Sequence, residues 1–361
     1  MVERPDKPDF ERVLTALKRQ EPDRVPIVET QISEIVQSAF MGREIKDIKS
    51  EIEFRAAAGM DFNCITRGLL FNWTYDPALD SIAKTTTGVY NPYGVDTENK
   101  WAEEGKGVIF DMESFEKFPW PTPDDVDYES MVELAKLLPP GMKFIVSTGK
   151  VFSSATLLMG LEHFSYCLAD DIGLVEAVFE WFGKNALAVM ERLVEYKGKG
   201  AIGAFELPDD LAYAEGLLVS PKFLRKYVFP WHKKMCEVAN QADIPVILHS
   251  DGDVTRVLDD ILDAGFTALH PIEPKAMDIV EVKAKIGHKM SVIGNIDLAY
   301  TLTRGTPDDV RAEVRERIRT VGPGGGYCMA ASNSVPEFVP IENYEALLQA
   351  TYDFGKYPIN L

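Results

Sequence analysis

The stretch PVILHSDGDVTRVLDDILDAGFTALHPIEP, residues 245–274, holds a complete strand–helix–strand unit and the polar residues that follow each strand. Residues 245–248 form a short apolar run, as a strand buried on both faces should. Val257, Leu258, Ile261 and Leu262 then recur at helical spacing within residues 254–264, and Gly265 supplies the stop. The apolar pair Ala268-Leu269 follows at once. An amphipathic helix joining two doubly buried strands is the parallel β/α unit.

The alternation continues in both directions. Further candidate strands lie at 25–28, 62–66, 144–147, 200–205, 291–293 and 326–329. Thr306-Pro307-Asp308-Asp309 opens a helix with a cap, a first-turn proline and two acids at its positive end. Its buried stripe is Val310, Val314 and Ile318. Residues 171–194 predict a long helix with Leu174, Val178, Phe182, Val189 and Leu193 turned inward. Eight strands with helical crossovers in 361 residues predict an α/β protein, a (β/α)8 TIM barrel forming one domain over 1–361. A doubly wound sheet would need a GxGxxG after its first strand, and none is there. Residues 85–111, rich in Gly, Tyr and Asn, read as a β-hairpin insertion after strand 2, and the proline-rich 118–123 as a fixed surface connection. Gly322-Pro323-Gly324-Gly325-Gly326 ends a helix and precedes a strand. That is the reverse of a phosphate loop, so it reads as a turn.

Composition narrows the function. Hydrophobic residues make up 46% and charged residues 26%, enough to bury a sizeable core. With 57 acidic against 38 basic residues the net charge is −19, which repels nucleic acid and anionic membrane surfaces. No run approaches the ~18 apolar residues of a spanning helix, and residues 1–9 are charged, without a signal-peptide core. Cys64, Cys167, Cys236 and Cys328 are far apart, which predicts reduced thiols and a cytoplasmic protein.

Barrel enzymes build their sites at the C-terminal ends of strands. His249 and Asp251 follow one strand at i and i+2, so extended backbone points both the same way and lets them share an ion. Cys328, from the last strand, would complete a three-ligand zinc site with an open position. The alternative is a hydrogen-bonded His–Asp pair and a buried thiol. Glu206, Asp209 and Asp210 offer a general acid, a base or a further ligand, or else helix caps. His270 and Glu273 suit substrate binding or positioning, or a structural role. Asn333 follows the last strand, and Arg67 and Trp73, with Tyr90 and Tyr93, suit a substrate wall or ordinary packing.

Taken together, several segments resemble the uroporphyrinogen decarboxylase superfamily and, within it, the corrinoid-dependent methyltransferase branch. They are Pro22-Asp23-Arg24-Val25-Pro26, Pro119-Trp120-Pro121, Asp209-Asp210-Leu211, His249-Ser250-Asp251-Gly252, His270-Pro271-Ile272-Glu273-Pro274, Gly294-Asn295-Ile296-Asp297 and Gly324-Gly325-Gly326-Tyr327. The resemblance implies a (β/α)8 barrel. It also implies a bound Zn2+, held in that branch by His-x-Cys and a later Cys. His249 and Cys328 match the first and third positions, and Asp251 stands at the second. The arginines that hold tetrapyrrole carboxylates in the decarboxylases have no counterpart in Ile27-Val28-Glu29-Thr30-Gln31-Ile32. The expected activity is therefore zinc-dependent transfer of methyl from a small methylated substrate, an aromatic methyl ether, to Co(I) of a separate corrinoid-binding protein. Glu206 and His270 are the expected catalytic residues, and Arg67, Trp73, Asp210 and Asn333 the substrate contacts. A methylcorrinoid:thiol methyltransferase of the coenzyme M type, a uroporphyrinogen decarboxylase and a non-catalytic docking barrel are the alternatives.

Overall fold

The computed structural model describes residues 7–65 and 107–361. Its strands are β1 (Phe62–Ile65), β2 (Lys143–Ser147), β3 (Ile202–Pro208), β4 (Ala212–Tyr213), β5 (Gly216–Leu217), β6 (Val246–His249), β7 (Ala268–His270), β8 (Ser291–Ile293) and β9 (Tyr327–Cys328). Strands β4 and β5 make a small antiparallel hairpin. The other seven form one parallel sheet in the order β1-β2-β3-β6-β7-β8-β9. Residues 25–28 lie along the free side of β9, where the Val28 amide donates to the Met329 carbonyl (2.8 Å) and the Met329 amide to the Pro26 carbonyl (2.9 Å). With this eighth strand the chain is the (β/α)8 barrel that its periodicity predicts.

The strands run further than the apolar runs that announce them. β3 continues to Pro208, β6 to His249 and β7 to His270, so residues expected just beyond the sheet belong to its ladder.

The helices around the barrel keep their predicted inner faces. Ile172–Glu195 is capped by the Asp171 side chain on the Leu174 amide and buries Leu174, Val178, Phe182, Val189 and Leu193. Pro307–Val321 is closed by a capping box of Thr306 and Asp309, a device worth about 1 kcal/mol, and buries Val310, Val314 and Ile318. The segment read as one helix at 254–264 starts as a 3-10 turn, Thr255–Val257. It becomes α only at Leu258–Ala264, and Gly265 stops it at φ +94°.

At the N-terminal end, buried Arg12 donates to Asp23 (2.6 Å) and to Asp61 (2.7 Å), which immediately precedes β1. The Gly-rich segment 322–326 is a turn at this end. Lys283 Nζ donates to the Gly325 carbonyl (2.8 Å), and the Gly324 amide to Glu21 (2.9 Å). Gly325 has φ +73°, and a Cβ there would stand 2.2 Å from the Gln20 carbonyl oxygen, so glycine is required. Most of the expected hairpin at 85–111, together with Arg67, Trp73, Tyr90 and Tyr93, lies outside the described residues. Among the described residues no helix is long and apolar enough to cross a membrane.

Candidate functional site

Strand register decides which side chains meet. Pro208 of β3 pairs with His249 of β6, which pairs with His270 of β7. Paired residues on adjacent strands point to one face, and Glu206, two residues before Pro208, shares it. Glu206, His249 and His270 therefore converge, while Leu207, Leu248 and Leu269 fill the opposite face.

His249 looks two ways. Its Nδ1 is 2.8 Å from His270 Nδ1, while its Nε2 is 3.4 Å from Asp251 Oδ1 and 3.7 Å from Asp210 Oδ1. Two groups able to hold a metal ion result among the described residues. Glu206, His249 and His270 form the inner one and Asp210, His249 and Asp251 the outer, with ligand atoms within 4.8 Å of one another in each. The structure thus brings together the predicted His249 and Asp251 and adds Asp210 to them.

The loop after β6 is tied from several sides. The Ser250 amide donates to the His270 carbonyl (2.9 Å), the Asp251 amide to Asp210 (3.1 Å) and the Gly252 amide to Glu273 (2.8 Å). Gly252, at φ +78°, passes so close to the Tyr213 backbone that a Cβ would stand 2.4 Å from its carbonyl oxygen. Asn333 Nδ2 donates to both Asp251 oxygens at 2.9 Å. Asn333 is thus the holder of the Asp251 carboxylate, a role that its position just past the last strand only hints at.

The electrostatics of the outer group are those of a site short of positive charge. Burial pushes the Asp251 pKa up, Asp210 and Glu273 push the same way, and His249 and the Asn333 amide offset this in part. Burial also raises Glu206, against His249, a hydrogen bond with Thr30 and the more distant Lys150. It holds His270 well below the usual imidazole range, with His249 adding to the effect, so this ring is neutral. Among the described residues, Glu206 Oε1 and His270 Nε2 are buried without a hydrogen-bond partner, an arrangement that native interiors seldom tolerate.

Asp209 turns the other way. Its carboxylate accepts from the amides of Val151 (3.2 Å), Phe152 (3.0 Å) and Ser153 (2.7 Å), at the start of the helix Phe152–Met159, and lies 2.8 Å from His232 Nε2. Of the acidic trio after β3, the helix-start reading holds for Asp209, while Glu206 and Asp210 join the site.

Cys328 stands apart from both groups. It sits on β9 opposite Ile293 of β8, fully buried, with its pKa raised by burial, and the chain bridges to neighbouring strands at Met329 and Ala331 before it bends at Ser332 and Asn333. Asn333, not Cys328, is the residue of this strand that touches Asp251.

Residues 104–354 match the uroporphyrinogen decarboxylase (URO-D) family. Over 214 residues the chain is 27% identical to the methylcobamide:CoM methyltransferase MtaA of Methanosarcina barkeri, covering 57% of this chain and 60% of that one. It is 26% identical over 239 residues to the methylated-thiol–coenzyme M methyltransferase of Methanosarcina mazei, covering 63% and 62%. The chain thus spans about 60% of the length of these curated relatives. A solved structure described as a methyltransferase from Methanosarcina mazei superposes with a TM-score of 0.67 at 18% identity, over 95% of this chain and 98% of that one, which bears on the fold. From the extent of the family match, the chain belongs to the uroporphyrinogen decarboxylase family.

Proposed function

We propose that this protein is a corrinoid-dependent methyltransferase that takes methyl from a small methylated substrate, an aromatic methyl ether, and delivers it to Co(I) of a separate corrinoid-binding protein. The observation that carries the reading is the outer group at the barrel mouth, in which every candidate ligand atom is nitrogen or oxygen. The names of the relatives support methyl transfer at a corrinoid.

A zinc ion fits this group. Three ligand atoms lie close together, and the crowding of carboxylates that raises Asp251 is relieved by a cation. His249 Nε2, Asp251 and Asp210 would hold it, in place of the set with Cys328, and Asn333 orients Asp251. When bound, such an ion supplies Lewis acidity toward an ether oxygen, and hard oxygen ligands favour that over thiolate affinity.

The chain's own residues do the rest. The ether is inert because its oxygen leaves as a poor alkoxide or phenoxide. Glu206, kept protonated upward in pH by burial, is the proton donor to that oxygen as its bond to the methyl carbon breaks. Neutral His270 backs His249. Arg67 and Trp73 keep their proposed place in the substrate wall.

Purified chain is incubated with a reduced corrinoid protein and candidate methoxyarenes, and formation of the methyl–cobalt bond is followed by absorption. About one zinc per chain is expected by the three-ligand logic, with methylation that depends on both the arene and the corrinoid. No bound zinc, or no methylation from any methoxyarene, overturns the reading. Faster transfer from methylcorrinoid to a thiol would assign the protein to the activity its relatives' names describe.

A further inference from the structure

The two ring nitrogens of His249 serve different neighbours. Two Nδ1 atoms at 2.8 Å need one proton between them, because two bare lone pairs would repel and two N–H groups would clash. If His270 supplied it, His249 would carry its own proton on Nε2, toward Asp251 and Asp210, and Nε2 would be closed to a ligand. If a neutral His249 supplies it, Nε2 is a bare lone pair between two carboxylates, an arrangement that a cation satisfies.

The inner group favours the second arrangement. Once His270 accepts at Nδ1, its proton sits on Nε2, one of two buried atoms of this cluster without a partner among the described residues. The other is Glu206 Oε1 in the same cluster, which accepts when the Glu206 proton sits on its second oxygen, the one that meets Thr30. A donor and an acceptor are the complement each needs. We propose that His270 is a positioning residue: it accepts the Nδ1–H of His249 and so aims a bare His249 Nε2 at the metal position between Asp251 and Asp210. This rests on the reading of the rim as a metal site. Behind a ligand histidine, such a partner sets ring orientation and tautomer, and its loss weakens metal binding by about 10–100-fold.

The probe is Co2+, titrated into metal-stripped protein and read by visible absorption, so no turnover is needed. His270→Leu should weaken Co2+ binding by about 10–100-fold. His270→Asn, whose Oδ1 stands where Nδ1 stood and accepts the same N–H, should stay within about threefold and keep the absorption bands. Wild-type affinity in His270→Leu overturns the proposal and leaves the metal site standing. No Co2+ binding by the wild-type protein, with His249→Ala indistinguishable from it, overturns the metal reading and the proposal with it. Should His270→Leu fail to fold by circular dichroism, proton–nitrogen NMR of the zinc-loaded wild-type protein decides. A His249 proton on Nδ1 supports the proposal, and one on Nε2 overturns it.

Discussion

Asp209, fully buried, and Asp251, half-buried, are carboxylates one and two residues beyond neighbouring strands, yet the barrel treats them oppositely. Asp209 is given three amide donors and a histidine, and its pKa falls below the ordinary value although burial alone would raise it. Asp251 is given one side-chain amide and placed beside two more carboxylates, and its pKa rises. A carboxylate surrounded by donors is a fastener. One held among its own kind is poised to receive a cation, and that imbalance marks a functional site more reliably than burial does. The same contrast holds between the ends of the barrel: Arg12 pairs with Asp23 and Asp61 below, whereas Glu206 and His270 above keep atoms with no partner among the described residues.

The largest effect should come from breaking the fastener. Asp209→Ala strips the helix start of its acceptors and leaves His232 without its buried partner, which should cost about 3–5 kcal/mol in urea unfolding. A loss below about 1 kcal/mol would dissolve the contrast.

At the other pole, His249→Ala should change stability little but remove bound zinc and slow methyl transfer by at least about 100-fold, or roughly 2.7 kcal/mol. Metal analysis and the corrinoid assay check it together. Retained zinc would show that His249 is not a ligand.

Asp251 permits a finer cut. Asp251→Cys should keep zinc, because thiolate binds it well, yet lose roughly tenfold to a hundredfold in ether demethylation as the ion becomes a weaker Lewis acid. Asp251→Ala should lose metal affinity and rate together. An Ala variant with normal zinc content and turnover would remove Asp251 from the site.

Glu29 lies between the two extremes, fully buried with a single amide donor, from Ala331 at 2.6 Å. Burial pushes its pKa up to about 8, against that amide and Arg55. The folded state therefore holds a proton that the unfolded chain releases near pH 4.5. Stability should fall as pH rises from about 4.5 toward 8. Glu29→Gln, which never ionises, should remove the decline and be more stable than wild type by about 3–4 kcal/mol at pH 8, with little difference at pH 4. Parallel unfolding curves at all pH values would contradict this.

Much of this architecture is legible in the chain. Short doubly apolar runs locate all eight strands, and the 3.6-residue stripes locate the inner faces of Ile172–Glu195 and Pro307–Val321. The pairing of His249 with Asp251 is also legible, because alternation along one strand is local. What the sequence hides is which partners a strand residue meets. Cys328 ends β9 as His249 ends β6, yet it is fully buried outside both groups, and Asn333, five positions on, touches Asp251. Asp209 and Asp210 are adjacent residues of the same type. Only the bond from the Asp209 amide to the His249 carbonyl (2.9 Å) shows how the chain turns there, sending one carboxylate to the helix Phe152–Met159 and the other to the rim.

By itself, then, the sequence determined the barrel, the acidic surface and the His-x-Asp element, because periodicity and i, i+2 alternation act over a few residues. Tertiary structure alone decided that His270 stands behind His249, that Asn333 rather than Cys328 reaches Asp251, and that Asp209 is a clamp. These depend on hydrogen-bond register between strands 20 to 80 positions apart and on the stagger of a closed barrel, which no local pattern encodes.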